Sequence, residues 1–470
     1  MSNGYVYTQG DIIVEPYKFN KILNLKIEKE PNEHSKLHIS GFISAEDSDK
    51  YVEVANDDSY IKVSVKDDQN NVKDLFIGMI TNIGIESIND VKKLDIEALS
   101  YTFKMDIEKK CRSFQGEGLT YREIFNTINS VYGDIQMIDY VSAGRTIDYI
   151  VVQYNETDWE FLKRLASHFN VAIIDECTLP GIKYSIGRGE SALYEIEEYN
   201  YSINKGLKEY KIQSSNNNYQ LNDIDLISFE VSTNLIIGLY NTIHFKDRYL
   251  NLYKSELKIH NGVITNNYIL RDDSGMKVRK LNNENIVGVS IDGYVIAVYN
   301  DYVRTSLKID GYSNTIDKTV WMPYSTVFSS PDGTGWYCMP EIGDKIRVYF
   351  PDSTEKNCYV ISSVNVESSD SSRRSDPSVK SFSTKYGKEI IMRPGGIDII
   401  SGGNSMSLSD DGGIEVNSGS KIVLEAGDDI EINGGSVSIE GGGGINLSQA
   451  GANMSIQDNI TVSGGKVNIQ

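Results

Sequence analysis

The stretch Ile397-Asp398-Ile399-Ile400-Ser401-Gly402-Gly403-Asn404-Ser405-Met406-Ser407-Leu408 opens a repeat that runs to the C-terminus. Two apolar residues flank one polar residue, a short turn follows, and the unit starts again. Ile397/Ile399 and Met406/Leu408 are succeeded by Ile414/Val416, Ile422/Leu424, Ile430/Ile432 and Val437/Ile439. Ile445/Leu447, Met454/Ile456, Ile460/Val462 and Val467/Ile469 complete the series. Counting a strand at Ile390, the spacing predicts eleven strands about eight residues apart. Gly-rich and Asp/Ser/Asn-rich turns, such as Asp411-Gly412-Gly413 and Gly441 to Gly444, separate them.

An apolar-polar-apolar triplet is a strand buried on one face only. A lone ribbon of such strands leaves its edges open and buries little, so it needs stacked neighbours. A one-chain solenoid usually needs coils nearer twenty residues long. An octad with one strand per face favours three identical chains wound round a common axis. The reading is a trimeric β-prism needle with these pairs, Leu424, Val467 and Ile469 included, as a dry axial core. At ~4.7 Å per layer its length is on the order of 50 Å.

The chain has 470 residues and a formal net charge of −20. Its length allows several domains with real cores. Such acidity argues against a nucleic-acid partner, which needs a basic face to neutralise phosphates, and against a basic membrane anchor. Cys111, Cys177, Cys338 and Cys358 form no CxxC pair, as expected for reduced thiols in a protein made in the cytoplasm. The N-terminal Met-Ser-Asn-Gly-Tyr-Val segment has no basic region and no apolar core, so no secretory signal is expected. No apolar run approaches the roughly 20 residues of a membrane span.

Upstream of the needle the chain predicts a mainly β protein with one mixed segment. Residues 1–105 alternate in period two and read as a hub β-barrel. Residues 106–215 form an α/β insertion. In it, Thr120-Tyr121-Arg122-Glu123 is a capping box that opens a helix through Tyr132, with Ile124, Phe125, Ile128 and Val131 on one stripe. Thr157-Asp158-Trp159-Glu160 is a second box, whose helix carries Phe161, Leu162, Leu165, Ala166 and Phe169 on a buried face. Residues 216–290 return to strands as a second hub barrel, 291–367 make a five-stranded OB-fold barrel, 368–383 a linker, and 384–470 the needle.

Two segments resemble a known family. Val152-Gln153-Tyr154-Asn155-Glu156-Thr157-Asp158-Trp159-Glu160-Phe161-Leu162-Lys163-Arg164-Leu165 is similar to the QYNESDxxFLxRL signature of the VgrG and late-control-D proteins. These are hub and spike proteins of contractile injection machines. Gly335-Trp336, Pro340, Ile342-Gly343-Asp344 and the run to Phe350 resemble that family's OB segment. Both motifs have structural explanations. Thr157 and Glu160 cap a helix, Phe161 and Leu165 bury it, Gly343 permits a turn, and Pro340 ends the preceding segment. The resemblance implies a homotrimer whose hub docks to the last ring of the inner tube and to baseplate proteins. It also implies a needle pointing outwards, with effector cargo carried by some members.

The resemblance also sets expectations about what this chain lacks. It stops at Val467-Asn468-Ile469-Gln470, so no toxin domain is expected beyond the prism, and the linker is too short for an inserted lysozyme. All five histidines lie upstream of the OB barrel, so no iron-binding apex is expected. The blunt end, residues Val467, Asn468, Ile469 and Gln470, would dock a small PAAR-like tip protein.

Rival readings have less to rest on. His34 and His38 are four apart, but on a strand or loop that spacing gives no shared face and no third ligand is evident, so no metal or cofactor is expected. Glu195, Glu197 and Glu198 read as a charged patch rather than a glycosidase pair. With no nucleophile motif or P-loop, a cell-wall hydrolase has little support and an enzyme is not expected. A tail-fibre adhesin is the second structural reading, yet fibres carry their binding head at the far end, and here the globular mass comes first. The expected site of action is an assembled particle outside the cell.

Overall fold

The computed structural model describes residues 5–44, 46, 48–197, 200–216, 220–361, 371–457 and 459–466. Alternating side chains build the largest sheet. Lys21–Lys29 buries Ile22, Leu25 and Ile27, Lys36–Ile43 buries Leu37, Ile39 and Ile43, and Tyr60–Lys66 buries Ile61, Val63 and Val65. The 17-residue strand Val72–Ile88 bends at a bulge between Ile80 and Asn82, which lets it follow the curve of the sheet.

The two hub segments share one twelve-stranded sheet. Arg248–His260 pairs with Lys21–Lys29 through Ser255↔Lys29 to Lys258↔Lys26. Its hairpin partner Val263–Arg271 meets Thr8, where Ile264 N–H donates to the Tyr7 carbonyl at 2.9 Å. The hairpin thereby closes the first barrel and adds Leu257 and Ile264 to its core. The other ends of the same two strands serve a second core, where Leu250, Leu252, Tyr268 and Leu270 meet Phe229, Val231, Ile243 and Phe245.

The insertion contains helices Tyr121–Asn129 and Asp158–Ser167, each opened by its capping box. Thr120 Oγ1 accepts from Glu123 N–H at 3.2 Å and Thr157 Oγ1 from Glu160 N–H at 3.1 Å. The first helix stops at Asn129, before the expected Tyr132. Ile124, Phe125 and Ile128 are buried, but Val131 lies beyond the helix and is exposed. Trp159, Phe161, Leu162 and Leu165 fill the core of the insertion.

A five-stranded sheet follows, in the order Met322–Pro323, Tyr302–Leu307, Ser290–Tyr299, Lys345–Tyr349, Tyr359–Ile361. Its core takes Ile150 and Val152 from the insertion alongside Val295, Val303, Val348 and Val360.

Met1–Asn365 and Val366–Gln470 are separate compact units. In the second, Lys380–Ser383, Lys388–Arg393, Gly396–Ser401, Asn404–Ser409 and Gly413–Asn417 form an antiparallel meander. Ile445–Gln449, Ala452–Ile456 and Ile460–Gly464 form another. In the single chain, consecutive repeats therefore pair with each other. The pairs Ile422/Leu424, Ile430/Ile432 and Val437/Ile439 were expected as strands, but residues 418–444 carry none. That stretch holds Gly419, Gly427, Gly434, Gly435 and the Asp428-Asp429 pair, which favour turns over strand.

The axial core expected for this segment is one of three chains, and in the single chain Leu424 is 73% exposed. Ile422, Ile430, Ile432, Val437 and Ile439 are exposed with it. The reason is physical. A residue outside any sheet has no cross-strand neighbour, and one chain brings no second layer to cover its side chain. Val467 and Ile469 lie outside the described residues.

Candidate functional site: a buried joint and an apolar needle face

Strand Val151–Glu156 runs into helix Asp158–Ser167 through a tight corner at Asn155, whose φ is 52°. Asn tolerates this left-handed conformation far better than a branched residue. The corner turns Glu156 back towards Arg164, two turns along the helix. Arg164 donates from Nε to Glu156 Oε1 and from Nη2 to Oε2, both at 2.8 Å. Its Nη1 reaches Glu355 Oε2 of the OB barrel at 3.1 Å, and Nη2 also donates to the Val152 carbonyl at 2.9 Å. Arg164 and Glu355 are 2% and 5% exposed.

The remaining acceptors are also met. Val152 N–H donates to Glu355 Oε1 at 2.8 Å, and Asn283 Nδ2 donates to Glu156 Oε2 and to the Tyr154 carbonyl, each at 3.0 Å. Burial drives the Glu355 carboxyl above its ordinary range even against the Arg164 charge. Burial would lower Arg164, but Glu355 and Glu156 outweigh it and hold the guanidinium above its usual value.

Asp158 is wholly buried and collects four donors: Arg112 Nη2 at 2.6 Å, the Tyr132 hydroxyl at 2.6 Å, Lys110 Nζ at 2.7 Å and Gln153 Nε2 at 3.0 Å. Burial alone would raise its carboxyl, yet Lys110, Tyr132, Gln153 and Arg112 hold it below the ordinary range. Trp159 Nε1 donates to the Asn32 carbonyl at 3.1 Å, which ties the helix to the first barrel. The signature thus works as a joint: Arg164 reaches the OB barrel, Glu156 and the Tyr154 carbonyl reach Asn283, and Trp159 reaches the first barrel, while Asn155 makes the corner and Asp158, Phe161, Leu162 and Leu165 hold the insertion itself together. Its charged groups are engaged with one another and with backbone, which rigidifies the joint.

The second motif lies on the OB surface. Gly343 has φ 93°, and its N–H donates to the Val295 carbonyl at 2.8 Å, turning the chain into Lys345–Tyr349. Pro340 is half-buried, while Trp336 and Ile342 are 50% and 70% exposed.

On the needle meander the register places the apolar residues in two columns. Phe382, Ile390, Ile399, Met406 and Val416 pair successively, and so do Met392, Ile397, Leu408 and Ile414. Cross-strand partners share a face, and residues two apart on one strand share it too. This face is therefore apolar across its width. The opposite face carries Asp398 and Ser407, joined by a hydrogen bond of 2.7 Å. In the second meander, Ile445, Ile456 and Ile460 align, as do Leu447, Met454 and Val462. Leu424 and the other pairs of residues 418–444 join neither column, since that segment belongs to no sheet. The residues expected at the tip, Val467, Asn468, Ile469 and Gln470, fall outside the described part of the chain.

His34 bonds Thr102 and Asp106, and His38 bonds Asn24 and Asp95, so the two serve different partners. Glu195 pairs with His244 at 2.7 Å, and Glu198 lies outside the described residues. Among the described residues no cluster of three His, Cys, Asp or Glu groups could hold a metal, and no helix is long and apolar enough to cross a membrane. The sequence could not have revealed Glu355 or Asn283, since each meets the signature across more than a hundred residues.

No family model and no curated protein matches the sequence. Solved structures do. An Escherichia coli component of the type VI secretion system, described as similar to the T4 bacteriophage tail proteins gp27 and gp5, superposes with a TM-score of 0.52 at 10% identity, covering 74% of this chain and 98% of that one. The half-lidded Francisella PdpA–VgrG complex gives 0.56 at 11% identity, over 86% of this chain and 87% of that one. Its lidless form gives 0.55 at 11%, over 84% and 93%. The chain shares the mainly β fold of these structures, as the two sequence motifs implied.

Proposed function

We propose that three copies of this chain form the hub and spike at the distal end of the inner tube of a contractile injection system. The observation that carries this reading is the needle face. Ile390, Met392, Ile397, Ile399, Met406, Ile414 and Val416 are 36–69% exposed in one chain, on a sheet whose register aligns them. Completing the burial of each half-exposed side chain is worth roughly 1 kcal/mol. Two further copies with the same period supply a matching surface, and closed symmetry avoids open-ended growth.

In this reading the hub docks to the tube ring and baseplate, and the needle is driven through the target envelope when the sheath contracts. A PAAR-like protein caps the needle, and effector cargo rides with it. The work is mechanical rather than catalytic, done in the assembled particle outside the producing cell. The test is the solution mass of the full chain by light scattering, expected near three times 52.6 kDa. Ile399→Asp should reduce it to one chain, whereas Ser405→Asp, on the opposite, mixed face, should not. A monomeric parent protein would sink the proposal.

A further inference from the structure

Helix Leu207–Asn216 and the segment that follows strand Val263–Arg271 line a cavity of about 430 Å³, a size that suits a small organic ligand. Part of its wall is apolar, from Ile212, Tyr253, Met276 and Val278. Its charged part is one-sided, with Lys208, Arg271, Lys277 and Arg279 against the single carboxylate of Glu209. In a chain of net charge −20 such a concave, apolar and basic wall is the reverse of the general surface. Among the described residues Lys208 and Arg279 are paired with no carboxylate.

One side of the cavity is fixed. Val278 N–H donates to the Asn170 carbonyl at 3.0 Å, Asn170 Nδ2 donates back to the Val278 carbonyl at 2.9 Å, and Leu281 N–H donates to Ser167 Oγ at 2.8 Å. Arg271 organises the charge. Its guanidinium lies over the Tyr253 ring, 3.9 Å from the centroid, and its side chain is 11% exposed. Nη1 and Nη2 donate to Glu209 Oε1 and Oε2 at 3.1 and 2.9 Å. Nε is buried with no acceptor among the described residues, so the guanidinium makes fewer bonds than it can. Glu209 rides on a helix whose apolar residues Leu207 and Ile212 stay exposed. With so little apolar burial to hold the helix down, its carboxylate is exchangeable.

We infer that this cavity binds an organic carboxylate with an apolar tail, which takes the place of Glu209 on Arg271. Glu209 is a resident carboxylate and shows which group the fork accepts. The incoming carboxylate takes Nε together with Nη2, the side-on geometry that Glu209 leaves unused, and its tail lies against Tyr253, Met276 and Val278. Lys208 and Arg279, both exposed, add attraction at the rim. The same chemistry is offered by a free amphiphile and by the last residue of a peptide chain. The site lies within one chain and needs no trimer.

The full chain is titrated calorimetrically with decanoate, with acetyl-Leu-Leu and with the amide of that peptide, which has no carboxylate. Binding of decanoate alone marks a free amphiphile, binding of the acid peptide alone marks a chain terminus, and either supports the site, as does binding of both. Glu209→Gln removes the competing carboxylate and should tighten binding several-fold, a gain that unfolding cannot mimic. Lys208→Glu combined with Arg279→Glu should weaken binding about tenfold. A chain that binds neither acid, or the amide as well as the acid, overturns the site. Binding unmoved by the charge reversals belongs to another apolar surface and overturns it too. Weaker binding in Glu209→Gln overturns the exchange at Arg271.

Discussion

Arg164 of the insertion helix and Glu355 of the OB barrel are 191 residues apart in sequence and 3.1 Å apart in space, both inside the protein. Because Glu156 takes the other edge of the same guanidinium, one cation faces two carboxylates. Removing the cation is therefore worse than removing either anion. Arg164→Ala should cost about 3–5 kcal/mol, the usual penalty for stranding buried charge. Arg164→Lys should recover only part of this, since an ammonium cannot serve Glu156 bidentately and reach Glu355 as well. Glu355→Gln keeps an acceptor for Val152 N–H and removes a desolvated charge, so its cost should be about 1 kcal/mol or less. Urea midpoints of the three variants give the ranking, and an Arg164→Ala protein as stable as the parent would remove the joint from the account.

The corner at Asn155 supplies a backbone test of the same joint. At φ 52° a β-branched residue meets its carbonyl, at a cost of about 1–2 kcal/mol. Asn155→Val should be destabilising by that amount, and Asn155→Gly should stay within about 0.5 kcal/mol of the parent. Equal losses in both variants would mean that the Asn side chain, not the turn, sets the requirement.

Acid should loosen the insertion before it reaches the carboxylate range. His168 closes the same helix, bonds the Tyr121 hydroxyl at 2.9 Å, and is pushed down to about 3 by burial and by the charges of Lys280 and Arg164. A depressed folded value means that the neutral form is kept in the fold while the unfolded chain takes up a proton near 6.5. Stability is thus flat above pH 6.5 and falls progressively from there towards pH 3. Asp158, also held low, adds its own loss only as pH drops below about 4. Glu355, held high, works in the opposite sense and gains slightly as it protonates. His168→Gln should flatten the decline between about pH 6.5 and 4.5 in chemical denaturation, and an unchanged slope would assign that decline elsewhere.

Local chemistry was readable from sequence wherever a few neighbouring residues decide it. Both capping boxes appear as expected because Thr120/Glu123 and Thr157/Glu160 satisfy each other within one turn. The needle period likewise marked Ile397, Ile399, Met406 and Leu408 as strand residues, and they pair as Ile397↔Leu408 and Ile399↔Met406. The same period marks Leu424, which is exposed in one chain, because a repeat states which residues could share a face and not whether a neighbour is there to bury them. The closing of the first barrel by Arg248–His260 and Val263–Arg271 was not legible. An amphipathic strand announces its buried face but not which of many similar strands lies beside it, and Lys26 and Lys258 pair across more than two hundred residues. Glu355 escaped for the same reason, being a single carboxylate on a short 3-10 turn far downstream.

The segment from 418 to 444 carries the last prediction. Its pairs Ile422/Leu424, Ile430/Ile432 and Val437/Ile439 keep the octad pattern, yet in one chain they form no strand and stay exposed, Leu424 most of all. Glycine-rich turns make the local cost of extending this ribbon high, and a lone chain brings no second layer to repay it. Three copies bring one. Backbone amides from Ile422 to Ile439 should therefore exchange quickly in a monomeric Ile399→Asp chain and become protected in the parent assembly. Ile432→Asp should dissociate the assembly or leave it frayed over this segment, because a carboxylate would be placed in the axial core without a partner. A stable trimer from Ile432→Asp, with the segment still exchanging freely, would confine the prism to the two meanders and make 418–444 an extended connector between them.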